Sequence, residues 1–191
     1  MTALPHPRRL LTVADYAALP EDDQYRWELL EGNLIMSPSP TPRHNYASGR
    51  LLLALEPQVP ANLVLIQDVD LDLQLAPPGQ PGSVRRPDLV VVGRSALDRV
   101  DREGGLLRAN DAVLIVELVS PGSRRTDIVI KRGEYADAGI PHYWIVDLDP
   151  PVSLTACHIA PGFGYQDPGA ISAEYTAIEP FPARINLDAL A

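Results

Sequence analysis

Cysteine, lysine and positive charge are all scarce in this chain. A single cysteine, Cys157, among 191 residues excludes an intrachain disulfide and any cysteine-based zinc site. Lys131 is the only lysine among 16 basic residues, leaving 16 − 1 = 15 arginines. Basic residues number 16 against 25 acidic ones, a net charge of −9. Such a chain is not a coat for nucleic acid, and any nucleic-acid contact must rest on a local basic patch or on bound metal. No apolar run reaches the ~18 residues of a membrane span. The short apolar stretch after Arg8 and Arg9 does not support a signal peptide, so a cytoplasmic protein is expected. No glycine-rich phosphate loop is present, because Gly104-Gly105 lacks the strand-to-helix context. Ser120-Pro121-Gly122-Ser123 is not a nucleophile elbow. The four histidines show no metal-ligand spacing, and Cys157 and His158, adjacent in a strand, point to opposite faces.

The chain does have enough apolar residues for a sizeable core. At 46% hydrophobic and 21% charged, 191 residues suit one domain spanning 1–191. Its 20 prolines, about twice the usual ~5%, fall between the periodic segments and read as punctuation. Thr12 caps a short helix over Val13 to Leu19. Arg26 to Leu30 and Leu34 to Met36 form a hairpin around Gly32 and Asn33. Leu51, Leu52 and Leu55 predict an amphipathic helix over Arg43 to Glu56. Leu63 to Ile66 reads as a strand, and the alternation Val69, Leu71, Leu73, Leu75 predicts another with one wet face. Leu89 to Val92, Ala112 to Val119 and Tyr143 to Val146 are β-branched or apolar runs that suit strands buried on both faces. A helix is expected between Ser123 and Ala138, ended by Gly139. Two or three short strands and a last helix at Leu187 to Leu190 follow. The order predicts an α/β chain of mixed character, a mixed central sheet flanked by helices.

The informative residues are charges in apolar company. Glu117 sits inside Val113 to Val119, where a carboxylate loses hydration at a cost of several kcal/mol unless a partner or metal compensates. Asp88 opens the other apolar strand, directly after Pro87. Carboxylates converging from adjacent strands repel, and a cation or a shared proton must relieve them. Magnesium suits an all-oxygen site, with manganese as the alternative. As ordinary structural residues, Asp88 would be a turn aspartate and Glu117 an arginine partner. Lys131 lies four residues after Asp127 on the expected helix. It is either an i, i+4 ion-pair partner or a compact, tunable charge beside a metal and a phosphate, able to orient or deprotonate a water. Glu28, alone, reads as a solvent-facing strand residue. His44 stands at a helix start suited to a phosphate. Arg43, Arg50, Arg85, Arg86, Arg124, Arg125 and Arg132 supply a local basic patch or are plain surface charges.

In their joint order these stretches resemble the PD-(D/E)XK nuclease superfamily. More narrowly, they resemble the Uma family of predicted restriction-endonuclease-like proteins. The resemblance rests on Arg86-Pro87-Asp88 and on Val116-Glu117-Leu118-Val119-Ser120-Pro121. Supporting stretches are Trp27 to Gly32, Met36 to Pro40, His44, Asp127 through Lys131 to Tyr135, and Gly139 to Asp147. It covers about residues 12–147. It implies a restriction-endonuclease-like fold and a metal-dependent endonuclease acting on DNA. Asp88 and Glu117 would bind magnesium, Glu28 would be a further acidic ligand, and a lysine would complete the site. The superfamily motif puts that lysine two residues after the acid, where this chain has Val119. The resemblance implies relocation to Lys131. Arg43, Arg86, Arg124, Arg125 and His44 would hold the nucleic acid, and a homodimer would cut both strands. A nuclease-fold binding module with weak or no catalysis is the alternative.

Overall fold

The long apolar runs build the centre of the structure. The computed structural model describes residues 9–20, 25–37, 39–119 and 124–191. Helix α1 (Val13–Ala17) is capped by Thr12, whose Oγ1 accepts from the Asp15 N–H at 3.1 Å, while the Asp15 carboxylate accepts from the Thr12 N–H at 2.9 Å. Strands β1 (Arg26–Leu30) and β2 (Asn33–Ser37) form the expected hairpin. Its turn residues are Glu31 and Gly32, with φ of 47° and 79°. Asn33, expected in the turn, instead pairs with Leu30 as the first residue of β2. Helix α2 (Pro42–Leu55) starts after Thr41, whose hydroxyl accepts from the His44 N–H.

Strands β3 (Leu63–Gln67), β4 (Leu71–Asp72), β5 (Val84–Arg85) and β6 (Leu89–Gly93) follow. Helix α3 (Arg94–Glu103), β7 (Leu107–Arg108) and β8 (Ala112–Val119) come next. A π-helical stretch, Thr126–Lys131, runs into α4 (Arg132–Asp137), and Gly139, with φ of 74°, ends it. The expected start of this helix at Ser123, like Ser120 to Gly122 and Pro38, lies outside the described residues. The chain finishes with β9 (His142–Asp147), β10 (Ser153–Ala160), β11 (Gly164–Gln166), β12 (Ala170–Ser172), β13 (Glu174–Ala177), β14 (Ala183–Asn186) and a 3-10 turn, Leu187–Leu190. The strands after β9 exceed the two or three expected. The alternating segment from Val69 is a strand only at Leu71–Asp72, because Gln74 takes a positive φ of 54° and turns the backbone away. The alternation survives as burial: Leu71 and Leu73 are inside and Leu75 is exposed.

The main sheet has the order β11-β10-β9-β8-β6-β3, with β12 also on β10. Only β8 and β9 pair in parallel within it, so the sheet is mixed, as expected. Side chains alternate between its faces. Leu89, Val91, Leu114, Val116 and Leu118 pack with Leu51 and Leu55 of α2 and with β14. Val90, Val92, Ile115 and Val119 pack on the opposite face with Tyr135 of α4, Tyr143 and Tyr165. Asp88 shares its parity with Val90, and Glu117 shares its parity with Ile115 and Val119. Glu117 therefore falls on the α4 side, whereas Asp88, one residue before β6, meets His44 of α2 at the end of the sheet. A second sheet, β2-β1-β5-β4-β7, carries Glu28 and Arg85. No described helix is long and apolar enough to cross a membrane.

The hairpin carrying Glu28 is clamped by backbone. The Gly32 N–H donates to the Gly82 carbonyl at 2.8 Å, and the Leu11 N–H donates to the Gly32 carbonyl at 2.8 Å. A Cβ on Gly32 would stand 2.6 Å from Leu10 Cβ and 2.9 Å from Pro81 Cβ, and its φ is left-handed. Gly32→Ala is expected to cost about 1–3 kcal/mol. Gly79→Ala, at φ of 82° but in open space, should cost less, because only backbone strain applies. Urea denaturation of both variants beside the parent checks the difference.

Candidate active site

Pro87 leaves Asp88 at the mouth of β6, where Leu89 faces Val116 in the neighbouring strand. Asp88 consequently stands beside Glu117. The Leu118 N–H donates to Asp88 Oδ2 at 2.7 Å, and His44 Nε2 lies 2.8 Å from Oδ1. That contact fixes His44, from the first turn of α2, over the end of the sheet. Hydrogen bonding to Asp88 raises the His44 pKa, and the charges of Asp88 and Asp127 add to the shift against the opposing effect of burial.

Glu117 is 3% exposed. Lys131 Nζ donates to its Oε1 at 2.9 Å, and the Tyr135 hydroxyl donates to the same oxygen at 2.8 Å. Tyr135 lies four residues after Lys131, one helical turn on, so both reach the strand from one face. Oε2 has no donor among the described residues. Burial pushes the Glu117 pKa up, Lys131 pulls it back, and Asp88 and Asp127 push it up further. Lys131 behaves oppositely. Its burial is outweighed by Glu117, Glu28 and Asp127, which raise its pKa and keep the ammonium charged. A depressed lysine pKa, one of the sequence expectations, does not fit this surrounding. The Asp127 carboxylate is 3.7 Å from Nζ, so the i, i+4 pair and the contact with Glu117 coexist.

Glu28 is not a solvent-facing residue. It is 3% exposed, its Oε1 lies 3.5 Å from Lys131 Nζ, and it accepts from Arg85 Nη1 at 2.9 Å and from the Arg86 N–H at 3.0 Å. Burial would raise its pKa, but Lys131, Arg85 and the Arg86 N–H outweigh that and hold it low. Arg85 is 1% exposed and also grips Glu134 through two N–H bonds of 2.7 Å. Glu28, Asp88, Glu117 and Asp127 line one cleft with His44, Lys131, Arg85 and Arg86. Counting Glu134 gives five carboxylates against the charges of Lys131 and Arg85, formally 2 − 5 = −3. Arg86 is matched by Asp70, through bonds of 2.8 and 3.0 Å.

The expected arginine patch assembles only in part. Arg86 reaches the cleft and so does His44. Arg43 donates to the Leu148 carbonyl at 3.1 Å, and Arg124 pairs with Asp147 and Asp149. Arg125 is exposed and does not line the cleft. Arg26, not singled out in the sequence, does line it. Sequence reasoning also missed Tyr135 as a partner of Glu117, and Glu134. The spacing of four from Lys131 was the available signal for Tyr135, and nothing local signalled Glu134. Cys157 is buried, which pushes its thiol up to about 11, while His158 beside it is exposed, so the two form no catalytic pair.

A solved structure from Anabaena variabilis ATCC 29413, described as "a putative nuclease belonging to DUF820", is similar over 94% of this chain and 97% of its own, with a TM-score of 0.68 at 18% identity. That likeness shows a shared fold. No curated protein matches the chain. Residues 13–168 match the family model Uma2, described as "Putative restriction endonuclease", and with that span the chain belongs to the Uma2 family.

Proposed function

We propose that the protein is a divalent-metal-dependent endonuclease hydrolysing phosphodiester bonds of DNA. The observation that carries this reading is the meeting of Asp88, Glu117 and Lys131. Two neighbouring strands bring the carboxylates into one cleft, and the only lysine contacts Glu117 at 2.9 Å. The family description and the acid-rich cleft support the same reading.

The residues present fit a hard divalent cation in a limited form. Among the described residues no three histidine, cysteine or carboxylate groups are already arranged around one point. Magnesium needs only one or two carboxylates and keeps several waters. Asp88 and Glu117 supply these, and the Oε2 atom of Glu117 has no competing donor among the described residues. Glu28 is the poorer candidate for a direct ligand, because the Arg85 guanidinium, a permanent cation, holds one of its oxygens at 2.9 Å and Lys131 Nζ lies 3.5 Å from the other. It can act through water. When bound, the ion neutralises charge on the phosphate and acidifies a coordinated water.

The chain's own residues do the rest. Lys131 holds its proton at Nζ and offers it as a hydrogen bond and point charge to a phosphate oxygen, rather than acting as a base. His44 orients the Asp88 carboxylate through Nε2 and presents its ring to the cleft. Arg86 and Arg26 border the path of the phosphate backbone. Cutting both strands of a duplex requires two such sites, which a homodimer supplies.

A second reading, a binding module without catalysis, has one observation behind it: Lys131 is engaged by carboxylates on three sides. Plasmid and single-stranded DNA incubated with magnesium, manganese or EDTA separates the two. Cleavage is expected with either ion and none with EDTA, and Asp88→Asn should lower the rate by about 10²-fold or more. DNA binding by the parent protein with no cleavage under any ion would transfer the case to the binding module.

Lys131→Arg and Lys131→Met give a separate test. Both should lose about 10²–10³-fold in rate, since the guanidinium keeps the charge but not the compact geometry. Circular dichroism and thermal melts establish that each variant is folded. Full activity of folded Lys131→Met would remove Lys131 from the mechanism.

A further inference from the structure

The main sheet closes one of its edges and leaves the other bare. On one side β10 carries both β11 and β12, and on the other β3 ends the sheet. Edge strands are usually blunted by a charge, a proline or a bulge, because their unpaired backbone groups are a template for another strand. β3 has none of these. Leu63-Val64-Leu65-Ile66-Gln67 carries no charge and pairs with β6 in unbroken register. Its four apolar residues are only half-buried.

The hydrogen bonding of β3 alternates. The Arg94 N–H donates to the Asn62 carbonyl at 2.9 Å, and the Asp68 N–H donates to the Asp88 carbonyl at 3.1 Å. The even-numbered residues therefore face β6, and Leu63, Leu65 and Gln67 turn their backbone groups outward. The Leu63 N–H folds back onto the Pro60 carbonyl at 2.8 Å. The N–H and carbonyl of Leu65, those of Gln67 and the Leu63 carbonyl have no partner among the described residues.

We infer that β3 pairs antiparallel with the β3 of a second copy, about a two-fold axis at Leu65, so that two main sheets join edge to edge. Centred there, the strands overlap along their whole length. Leu65 exchanges both backbone bonds with its counterpart, and each Gln67 N–H reaches the partner's Leu63 carbonyl. The occupant is a second copy because identical antiparallel strands close on themselves under a two-fold axis. The charges at the strand ends also match. In this register Asn62 stands opposite the partner's Asp68. Arg94, beside Asn62, has no carboxylate partner among the described residues, and its Nε donates to the Ala61 carbonyl at 3.2 Å. Each copy thus brings Asp68, which also holds its own Arg26, towards the other's unmatched guanidinium. Gln67 and Asp68 wall a cavity that adjoins the cleft and shares Arg26, His44 and Asp88 with it. The partner's Asn62 borders that cavity, so contact between copies shapes the rim of each site. The need for two cutting sites rests on the nuclease reading, whereas this interface does not.

The test uses the full chain without DNA or metal. Sedimentation equilibrium should show a dimer that dissociates on dilution. Amide hydrogen exchange by NMR then reads the interface residue by residue. The Leu65 and Gln67 amides should exchange at least about tenfold more slowly in the dimer than in the monomer. Val64 and Ile66, bonded to β6, should be protected in both. Leu65→Pro removes one outward N–H, which an edge strand tolerates. The variant should be folded and monomeric, with a fast-exchanging Gln67 amide. A parent that is monomeric at the NMR concentration, a dimer whose Leu65 and Gln67 amides exchange freely, or a folded Leu65→Pro that stays dimeric overturns the interface. Should Leu65→Pro not fold, the exchange pattern of the parent decides. A dimer with this pattern that never cuts DNA refutes the nuclease reading alone, and a monomeric nuclease refutes the interface alone.

Discussion

The buried carboxylate of Glu117 is the constraint around which the structure is arranged. A charge in the middle of an apolar strand is costly unless it is neutralised, paired or hydrogen-bonded. Here the partners come from one helix: Lys131 and Tyr135, a turn apart, both donate to Oε1. That shared target leaves the second oxygen without a donor among the described residues. It also forces α4 and the π-helical stretch before it to lie against β8, because neither donor reaches the strand from anywhere else. The tyrosine layer beneath, in which Tyr135 meets Tyr143 edge to face with ring centres 5.2 Å apart, is the apolar support for that polar contact.

A second buried contact joins the two sheets. Arg85, on the smaller sheet, holds Glu28 of the hairpin with one N–H and Glu134 of α4 with two. The guanidinium suits this work because its fork is rigid and it keeps its proton. Glu28 then faces Lys131, which faces Glu117, so the hairpin, the small sheet, the helix and the main sheet meet in one chain of alternating charges. The backbone clamp at Gly32 holds the far end of that hairpin. Geometry at Glu117 consequently depends on residues from almost every described layer, and the cleft opens where the layers meet.

Much of this was legible in the sequence where a residue violated its surroundings. Asp88 and Glu117 stood out as charges in β-branched runs, and Lys131 stood out by being unique. Mixed sheet order followed from runs long enough to be buried on both faces. What failed to show was anything decided by distant partners. Arg85 looked like one surface arginine among many, because Glu28 and Glu134 lie 57 and 49 residues away in sequence. Arg43 was expected at the cleft, but the Leu148 carbonyl, 105 residues on, draws it elsewhere. Helix α3 escaped notice for a different reason: its apolar stripe is short, with Ala96 and Val100, four residues apart, packed on the core among many charges. β5 and β7, at two residues each, were too short for any alternation to register.

The near-exclusive use of arginine has a consequence for the molecular surface. The one side-chain amine of the protein is buried, so every exposed permanent cation is a guanidinium. Guanidinium groups keep their charge throughout the pH range in which proteins stay folded. Acylating reagents that erase lysine charge find no side-chain target on this exterior. The guanidinium part of the outward-facing positive charge is thus fixed in number, and ionic strength rather than alkalinity is the variable that weakens its attraction for anions.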